Sequence, residues 1–362
     1  MQRTSQIFRV ILAALILANL TVSISTRCLP ARNSSSFPFN PSQAESNSRP
    51  AKPAPAQAPW RGLIGEYGQD NDIVIILEQD GKLIALVKGT QSEPLEEIST
   101  NRFKFSAGGP HANQNAIFRR DAHGRATQLA IEKDIFKRRQ IEPETGNQLH
   151  VRPLRPVSEL MKEALKAQPP QEKGEFRASD LVELTSLDRT IRLEIRYATT
   201  NNFLGTVFYS EPRAFMQRPA AEAVVRANRR LRAIGYGLLI HDAYRPWYVT
   251  KVFWDATPDD KKIFVADPAK GSRHNRGCAV DLTLYDLKSE KPVEMVSTYD
   301  ETTARAYPDY PGGTSLQRWH RKLLRDAMEA EGFTVYEAEW WHFDFKDWRK
   351  YRIGNLTFDQ IK

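Results

Sequence analysis

The amino-acid sequence predicts an α+β protein in which a small antiparallel β domain precedes a larger domain with a central antiparallel sheet flanked by helices. Three observations carry this expectation. Short apolar runs divided by turn residues fill the stretch from Trp60 to about Pro153. Strand-like and helix-like runs alternate irregularly from Arg177 to Lys362, without the repeated βα unit of a doubly wound sheet. Proline-rich or charged segments set the two stretches apart.

Taken in order, residues 1–27 carry the features of a signal peptide. Arg3 and Arg9 precede an apolar run, Val10–Val22, that is short for a bilayer span and of the length of a signal core. Export to the periplasm or envelope follows, with an uncleaved anchor as the alternative. Cys28 follows Arg27, a poor fit for the small residue of a lipid-attachment site, and is read as incidental. Residues 28–59 are rich in Pro, Ser, Ala, Asn and Gln, with too few large apolar groups to offset the entropy of ordering, so they are expected to be a disordered linker.

Residues 60–153 are the expected β domain. Strand candidates are Ile73–Leu77, Leu83–Val87, Arg102–Ser106, Asn115–Arg119 and Thr127–Ile131, and Asp80-Gly81 between the first two is a hairpin signal. The segment resembles the small β domains appended to some secreted bacterial serine hydrolases. It holds no catalytic set, since His111, His123 and His150 share no ligand spacing. Residues 154–176, charged and interrupted by Pro169-Pro170, read as a second linker. In residues 177–362 the strand candidates are Ile191–Tyr197, Tyr236–His241 and Cys278–Leu284. The helix candidates are Ala220–Ile234 and Ser315–Glu331, the latter closed by Gly332.

Composition narrows the function classes. With 362 residues, 41% hydrophobic and 27% charged, wholesale disorder and a polytopic membrane protein are excluded. The formal charge of +8, from 52 Lys+Arg against 44 Asp+Glu, is modest for this length and predicts no nucleic-acid partner. Two cysteines, Cys28 and Cys278, rule out a disulfide scaffold and a CxxC zinc knuckle, so any metal must be held by His and carboxylate.

Three segments of the C-terminal half concentrate polar groups that the apolar pattern does not need. In Ser272–Leu284, strand alternation puts Asp281 on the face opposite Cys278, Val280, Leu282 and Leu284. Gly277 permits a sharp turn that returns His274 over the strand, so His274 and Asp281 can approach one cation. In Glu339–Phe345, Glu339 and His342 are three apart and point to opposite faces of a regular strand, which predicts a bend or bulge between them. His274, Asp281 and His342 together form a three-ligand set for Zn²⁺ with a fourth position open to water, the pattern of a catalytic site. Glu339 is then left as the base for that water. In Leu238–Pro246, a strand ends in a turn carrying Arg245, which could donate to an oxygen that becomes anionic.

Asp-x-Tyr-Arg-Pro at 242–246, Ser-x-His-x-x-Gly-x-Ala-x-Asp-Leu-Thr-Leu at 272–284 and Glu-Trp-Trp-His at 339–342 occur in that order. The set resembles the zinc D-alanyl-D-alanine dipeptidases of the VanX type. Arg196–Thr199 with Asn202, Phe203 and Gly205, then Gly235–Leu239 and Met295–Asp300, extend the likeness, which runs from about Ile191 to Phe358. It implies a zinc D,D-dipeptidase domain with one Zn²⁺ on His274, Asp281 and His342. It further implies Glu339 as base, Arg245 as stabiliser of the tetrahedral intermediate, and Tyr197, Ser272 and Asp300 at the substrate's amino end. The expected substrate is a small D,D-dipeptide. Two alternatives stand beside it: a D,D- or L,D-carboxypeptidase or endopeptidase acting on peptidoglycan stems, and a non-catalytic protein that associates with the cell wall through its β domain. Cys278 stands where the family pattern leads one to expect a small residue, and alternation makes it a buried thiol rather than a fourth ligand.

Overall fold

The structure, a computed structural model, describes residues 51–88, 91–141 and 150–361. The expected signal peptide, Cys28 and most of the first linker lie outside the described residues. Among those described, no helix is long and apolar enough to cross a membrane.

The N-terminal half forms an eight-stranded antiparallel meander in chain order. Its strands are β1 (Gly65–Tyr67), β2 (Val74–Gln79), β3 (Lys82–Val87), β4 (Gln91–Ser99), β5 (Arg102–Phe105), β6 (Asn115–Arg120), β7 (Ala126–Ile131) and β8 (Asp134–Lys137). Asp80 and Gly81 both take positive φ, 50° and 76°, the two-residue turn whose twist matches a β2–β3 hairpin. Beyond β8 the chain pairs back with β1 through Tyr67 and Arg138, so the meander closes on itself and hides its edges. Alternate residues, among them Val74, Ile76, Leu83, Phe103, Phe118 and Leu129, fill its interior.

The C-terminal half has its own apolar cluster, built around a five-stranded sheet. In spatial order the strands are β9 (Arg192–Leu193), β10 (Tyr236–Asp242), β11 (Ala279–Asp286), β13 (Glu339–Phe345) and β12 (Phe333–Tyr336). The sheet is antiparallel except at one edge, where β9 pairs parallel to β10. The strand expected over Ile191–Tyr197 shortens to two residues, because the chain turns at Arg196–Ala198 and carries Tyr197 into the interior. All seven residues of β10 are buried, as suits a central strand covered on both faces.

Helices pack against the sheet. In α2 (Arg218–Arg232), Ala220, Ala223, Val224, Ala227 and Leu231 form one buried stripe, Pro219 sits in the first turn, and Arg229, Arg230 and Arg232 face the negative end of the helix dipole. The α4 helix (Ser315–Glu329) opens on a capping box between Thr314 and Gln317, and Gly332 at φ 87° closes its exit loop. An unexpected helix, α3 (Trp247–Ala256), follows Pro246 directly. The strand itself ends at Asp242, before the turn that carries Arg245, and Pro246 sits at the N-cap of the helix.

The segment 154–176 is not a free linker. Helix α1 (Val157–Lys166) buries Val157, Leu160 and Ala164 in the C-terminal cluster, a spacing of three and four residues that gives one apolar face. Beyond it, Glu172 accepts from Arg276 Nη2 at 2.6 Å and from the Ile353 amide at 2.8 Å. The end of the first expected linker is packed as well, since Ala56 is buried and Lys52 lies 5.2 Å over the Tyr236 ring.

The β meander is bonded to the C-terminal half. Buried Glu78 accepts from the Ser315 amide at 2.8 Å in the first turn of α4, and Arg318 donates to the Glu78 carbonyl at 2.7 Å. Tyr310 donates to buried Glu66 at 2.8 Å.

Glu172→Ala would leave the buried Arg276 guanidinium without its carboxylate. Because Glu172 is partly exposed, the expected loss lies near the low end for a buried pair, about 2–3 kcal/mol, read as a lower urea midpoint. An unchanged midpoint would mean that the Glu172–Arg276 pair adds nothing to stability.

Candidate functional site

Three adjacent strands bring the polar side chains together. Across the sheet, Asp242 on β10 is the register partner of Asp281 on β11, and Asp281 is the partner of His342 on β13. Register partners share a face, so these three converge without long-range adjustment. His274 arrives from a single turn, His274–Arg276, closed by Gly277 at φ 66° before the chain enters β11. That is the reversal the sequence required of a glycine there. Ser272 Oγ accepts the His274 amide at 3.2 Å, and Asn275 donates to the Arg245 carbonyl and to Thr250, each at 2.8 Å. The turn bearing His274 is thereby tied to the turn bearing Arg245.

The bulge expected in β13 is present. Val335 pairs with Phe343 but Tyr336 pairs with Glu339, so one step along β12 is matched by the whole step from Phe343 to Glu339 along β13. It places Glu339 Oε2 3.8 Å from His342 Nδ1.

His274 Nε2, His342 Nδ1 and Asp281 Oδ1 form a triangle with sides of 3.1, 3.0 and 3.3 Å. Three corners of a tetrahedron around an ion bonded at ~2.0–2.2 Å lie roughly 3.3–3.6 Å apart, so the set is slightly contracted from a zinc first shell. The tautomers point the same way. His274 Nδ1 lies 2.6 Å from the Ala243 carbonyl and His342 Nε2 lies 3.0 Å from Asp344 Oδ1; neither oxygen can donate, so those nitrogens carry the protons. The two inward nitrogens therefore present lone pairs, and Asp281 Oδ1 is buried with no hydrogen-bond donor. Three lone-pair donors at this spacing suit a cation, and the residues present fit a metal ion.

A proton and a metal ion compete for the inward imidazole nitrogens. Burial works against charge on His342, but Asp344 and Asp281 outweigh it and raise its affinity for a proton well above the usual value. Burial would raise the Asp281 carboxyl, yet His274 and His342 hold it well below the ordinary range. Burial, with Asp281 and Asp300 nearby, pushes the Glu339 carboxyl up to about 8 against the pull of His342.

Tyr197, Arg245, Ser272, His274, Asp281, Asp300, Glu339 and His342, all singled out from sequence, line one cavity of about 160 Å³. Arg245 is buried and donates to Asp242 Oδ2 through Nε at 2.9 Å and Nη2 at 2.7 Å, with the rings of Tyr197 and Phe253 against its guanidinium. Asp300 is held at φ 59°, an uncommon conformation for a residue with a side chain, and accepts from Tyr197 at 3.1 Å. Burial, reinforced by Asp281, raises its carboxyl to about 7.

Four groups escaped the sequence reading: Asp242 and Asp344, which hold Arg245 and His342, Asn275, and Tyr299, which donates to Asp281 Oδ2 at 3.0 Å. Asp344 lies two residues beyond His342 in the same strand, so alternation could have found it. Asp242 lies three residues before Arg245 and acts within one turn, whereas Asn275 and Tyr299 act across distant segments and leave no periodic trace.

Comparison with known proteins bears on the same segment. Residues 177–358 match the M15 peptidase family profile described as D-Ala-D-Ala dipeptidase. The chain is 31% identical over 175 residues to a D-alanyl-D-alanine dipeptidase of Escherichia coli K12, an alignment covering 48% of this chain and 89% of the relative. Likeness to the D-alanyl-D-alanine dipeptidase of Enterococcus faecalis is 33% over 175 residues, covering 43% of this chain and 87% of the relative. A Streptomyces coelicolor protein of the same name is 31% identical over 175 residues, with the same two shares of 43% and 87%.

Cys278 is fully buried, and burial pushes its thiol up to about 12. Because the thiolate is the reactive form, native Cys278 should resist alkylation at pH 8 in a Cys28→Ser chain and react fully once the protein is denatured. Rapid labelling of the native protein would show the thiol to be exposed and poised.

Proposed function

The chain belongs to the M15 family of D-Ala-D-Ala dipeptidases and is a metallopeptidase, and on that premise we propose that it is a zinc exopeptidase releasing free D-alanine from the D-alanyl-D-alanine dipeptide. The observation that carries the reading is the convergence of the bare Asp281 Oδ1 with two imidazole lone pairs in a cavity that also holds Glu339, Arg245 and Asp300.

His274, Asp281 and His342 would hold the zinc. When bound, zinc polarises an attacking water and the scissile carbonyl, and its charge favours the ionised form of Glu339. Glu339 takes the water proton and delivers it to the departing amine. Arg245, fixed by Asp242, donates to the carbonyl oxygen as it gains negative charge. Asp300 and Tyr197 receive the free α-ammonium, and Ser272 lies beside them on the cavity wall. No lysine or arginine among the described residues is within ion-pair distance of Asp300, which leaves this buried carboxylate open to a cationic substrate end and favours a dipeptide over a stem peptide. The N-terminal apolar run supports an exported enzyme acting on wall-derived peptides in the envelope, in wall metabolism or glycopeptide resistance.

Two experiments test the roles. Glu339→Gln should keep about one zinc per chain yet lose on the order of 10²–10⁴ in kcat, whereas His274→Ala should lose the metal. Near-native turnover in the first, or full zinc in the second, would end the assignment. D-Ala-D-Ala should be cleaved at least ~10²-fold better in kcat/KM than its N-acetyl derivative, because acylation leaves Asp300 without its cation, and Asp300→Ala should narrow that ratio. A pentapeptide stem cleaved as fast as the dipeptide would overturn the dipeptidase reading and leave the metal chemistry standing.

A further inference from the structure

Asp281 has two oxygens with different surroundings. Oδ1 faces His342 Nδ1 at 3.0 Å and His274 Nε2 at 3.3 Å and receives no hydrogen bond. Oδ2 accepts from the Tyr299 hydroxyl at 3.0 Å, while Arg245 Nη2, at 3.8 Å, is beyond hydrogen-bond range. We propose that Tyr299 is a positioning residue for the metal site: its hydroxyl fixes the torsion of the Asp281 carboxylate so that one bare oxygen meets the two imidazoles. The inference rests on the zinc reading above and concerns a residue to which that reading gives no role.

The ring of Tyr299 cannot easily move. It is buried, with its centroid 4.8 Å from the His241 ring and 5.6 Å from that of Trp341. A phenylalanine would fill the same apolar space, so packing alone does not call for a hydroxyl here; a buried hydroxyl is costly unless it finds an acceptor. The acceptor it finds is a carboxylate, which makes the bond charge-assisted.

The next residue explains how Tyr299 reaches two subsites. Neighbours in an extended chain point to opposite sides, but Asp300 at φ 59° breaks that rule. Its carboxylate accepts from Tyr197 Oη at 3.1 and 3.3 Å, and the Tyr197 and Tyr299 hydroxyl oxygens are 3.3 Å apart. The four groups thus form a row, Asp300, Tyr197, Tyr299, Asp281. Each hydroxyl lies closer to a carboxylate oxygen, at 3.1 and 3.0 Å, than to the other hydroxyl, so Tyr197 serves Asp300, Tyr299 serves Asp281, and the contact between the hydroxyls is the weaker link. Removing one hydroxyl should therefore affect one end of the row.

The test is a competition titration of zinc against a chromophoric chelator, with steady-state kinetics at saturating zinc, on the full chain. Tyr299→Phe should bind zinc ~10–100-fold more weakly, the usual cost of losing a hydrogen-bond partner of a metal ligand, and excess zinc should restore most of its kcat. Tyr197→Phe should bind zinc normally and show a raised KM for D-Ala-D-Ala. Tyr285→Phe removes a hydroxyl that serves the Thr190 carbonyl, away from the row, and should change neither. Native zinc affinity in Tyr299→Phe, or an equal loss in Tyr285→Phe, would overturn the proposal alone. A native chain that binds no zinc would overturn the metal reading and this inference together.

Discussion

Three lone pairs aimed at one point inside a buried cavity repel one another unless a cation lies between them, and much of the C-terminal half is arranged to keep His274 Nε2, His342 Nδ1 and Asp281 Oδ1 in that position. The Ala243 carbonyl and the Asp344 carboxylate each fix one ring, and strand register fixes the carboxylate between them. Removing a brace would relax the crowding and weaken the site. The arrangement is one that a bound cation stabilises and that the bare protein has to support by other means.

That support extends beyond the sheet. Asn275 joins the turn of His274 to the turn of Arg245, and the Arg276 side chain in the same turn is held by Glu172, far back in the sequence. The segment before residue 177 is therefore part of the scaffold behind the metal ligands. The β meander grips the other side through Glu66 and Glu78, which hold Tyr310 and the start of α4, in the stretch that follows Asp300. A buried carboxylate at the first turn of α4 also meets the positive end of that helix, so the contact stabilises both partners.

Much of the site was legible in the sequence because it rests on local rules. Strand alternation set the face of Asp281, Gly277 gave the left-handed turn for His274, and the mismatch of a three-residue spacing with a two-residue period required the bulge beside Glu339. The Asp80-Gly81 hairpin and the α2 and α4 helices follow from equally local signals. What escaped is non-local or lacks a period. The α3 helix is apolar on nearly every side and so shows little amphipathic pattern, and the apolar stripe of α1 does not say what covers it. Closure of the meander by Tyr67 and Arg138 pairs residues 71 apart, and the bond from Tyr299 to Asp281 spans 18.

The central claim is that two imidazoles and one carboxylate oxygen hold the metal, with Cys278 excluded by burial on the other face of its strand. X-ray absorption at the zinc edge on the zinc-loaded chain tests it most directly. The account predicts a shell of nitrogen and oxygen scatterers only, at ~2.0–2.2 Å, with the multiple-scattering signature of two imidazoles. A sulfur scatterer near ~2.3 Å, or a shell without imidazole, would contradict it.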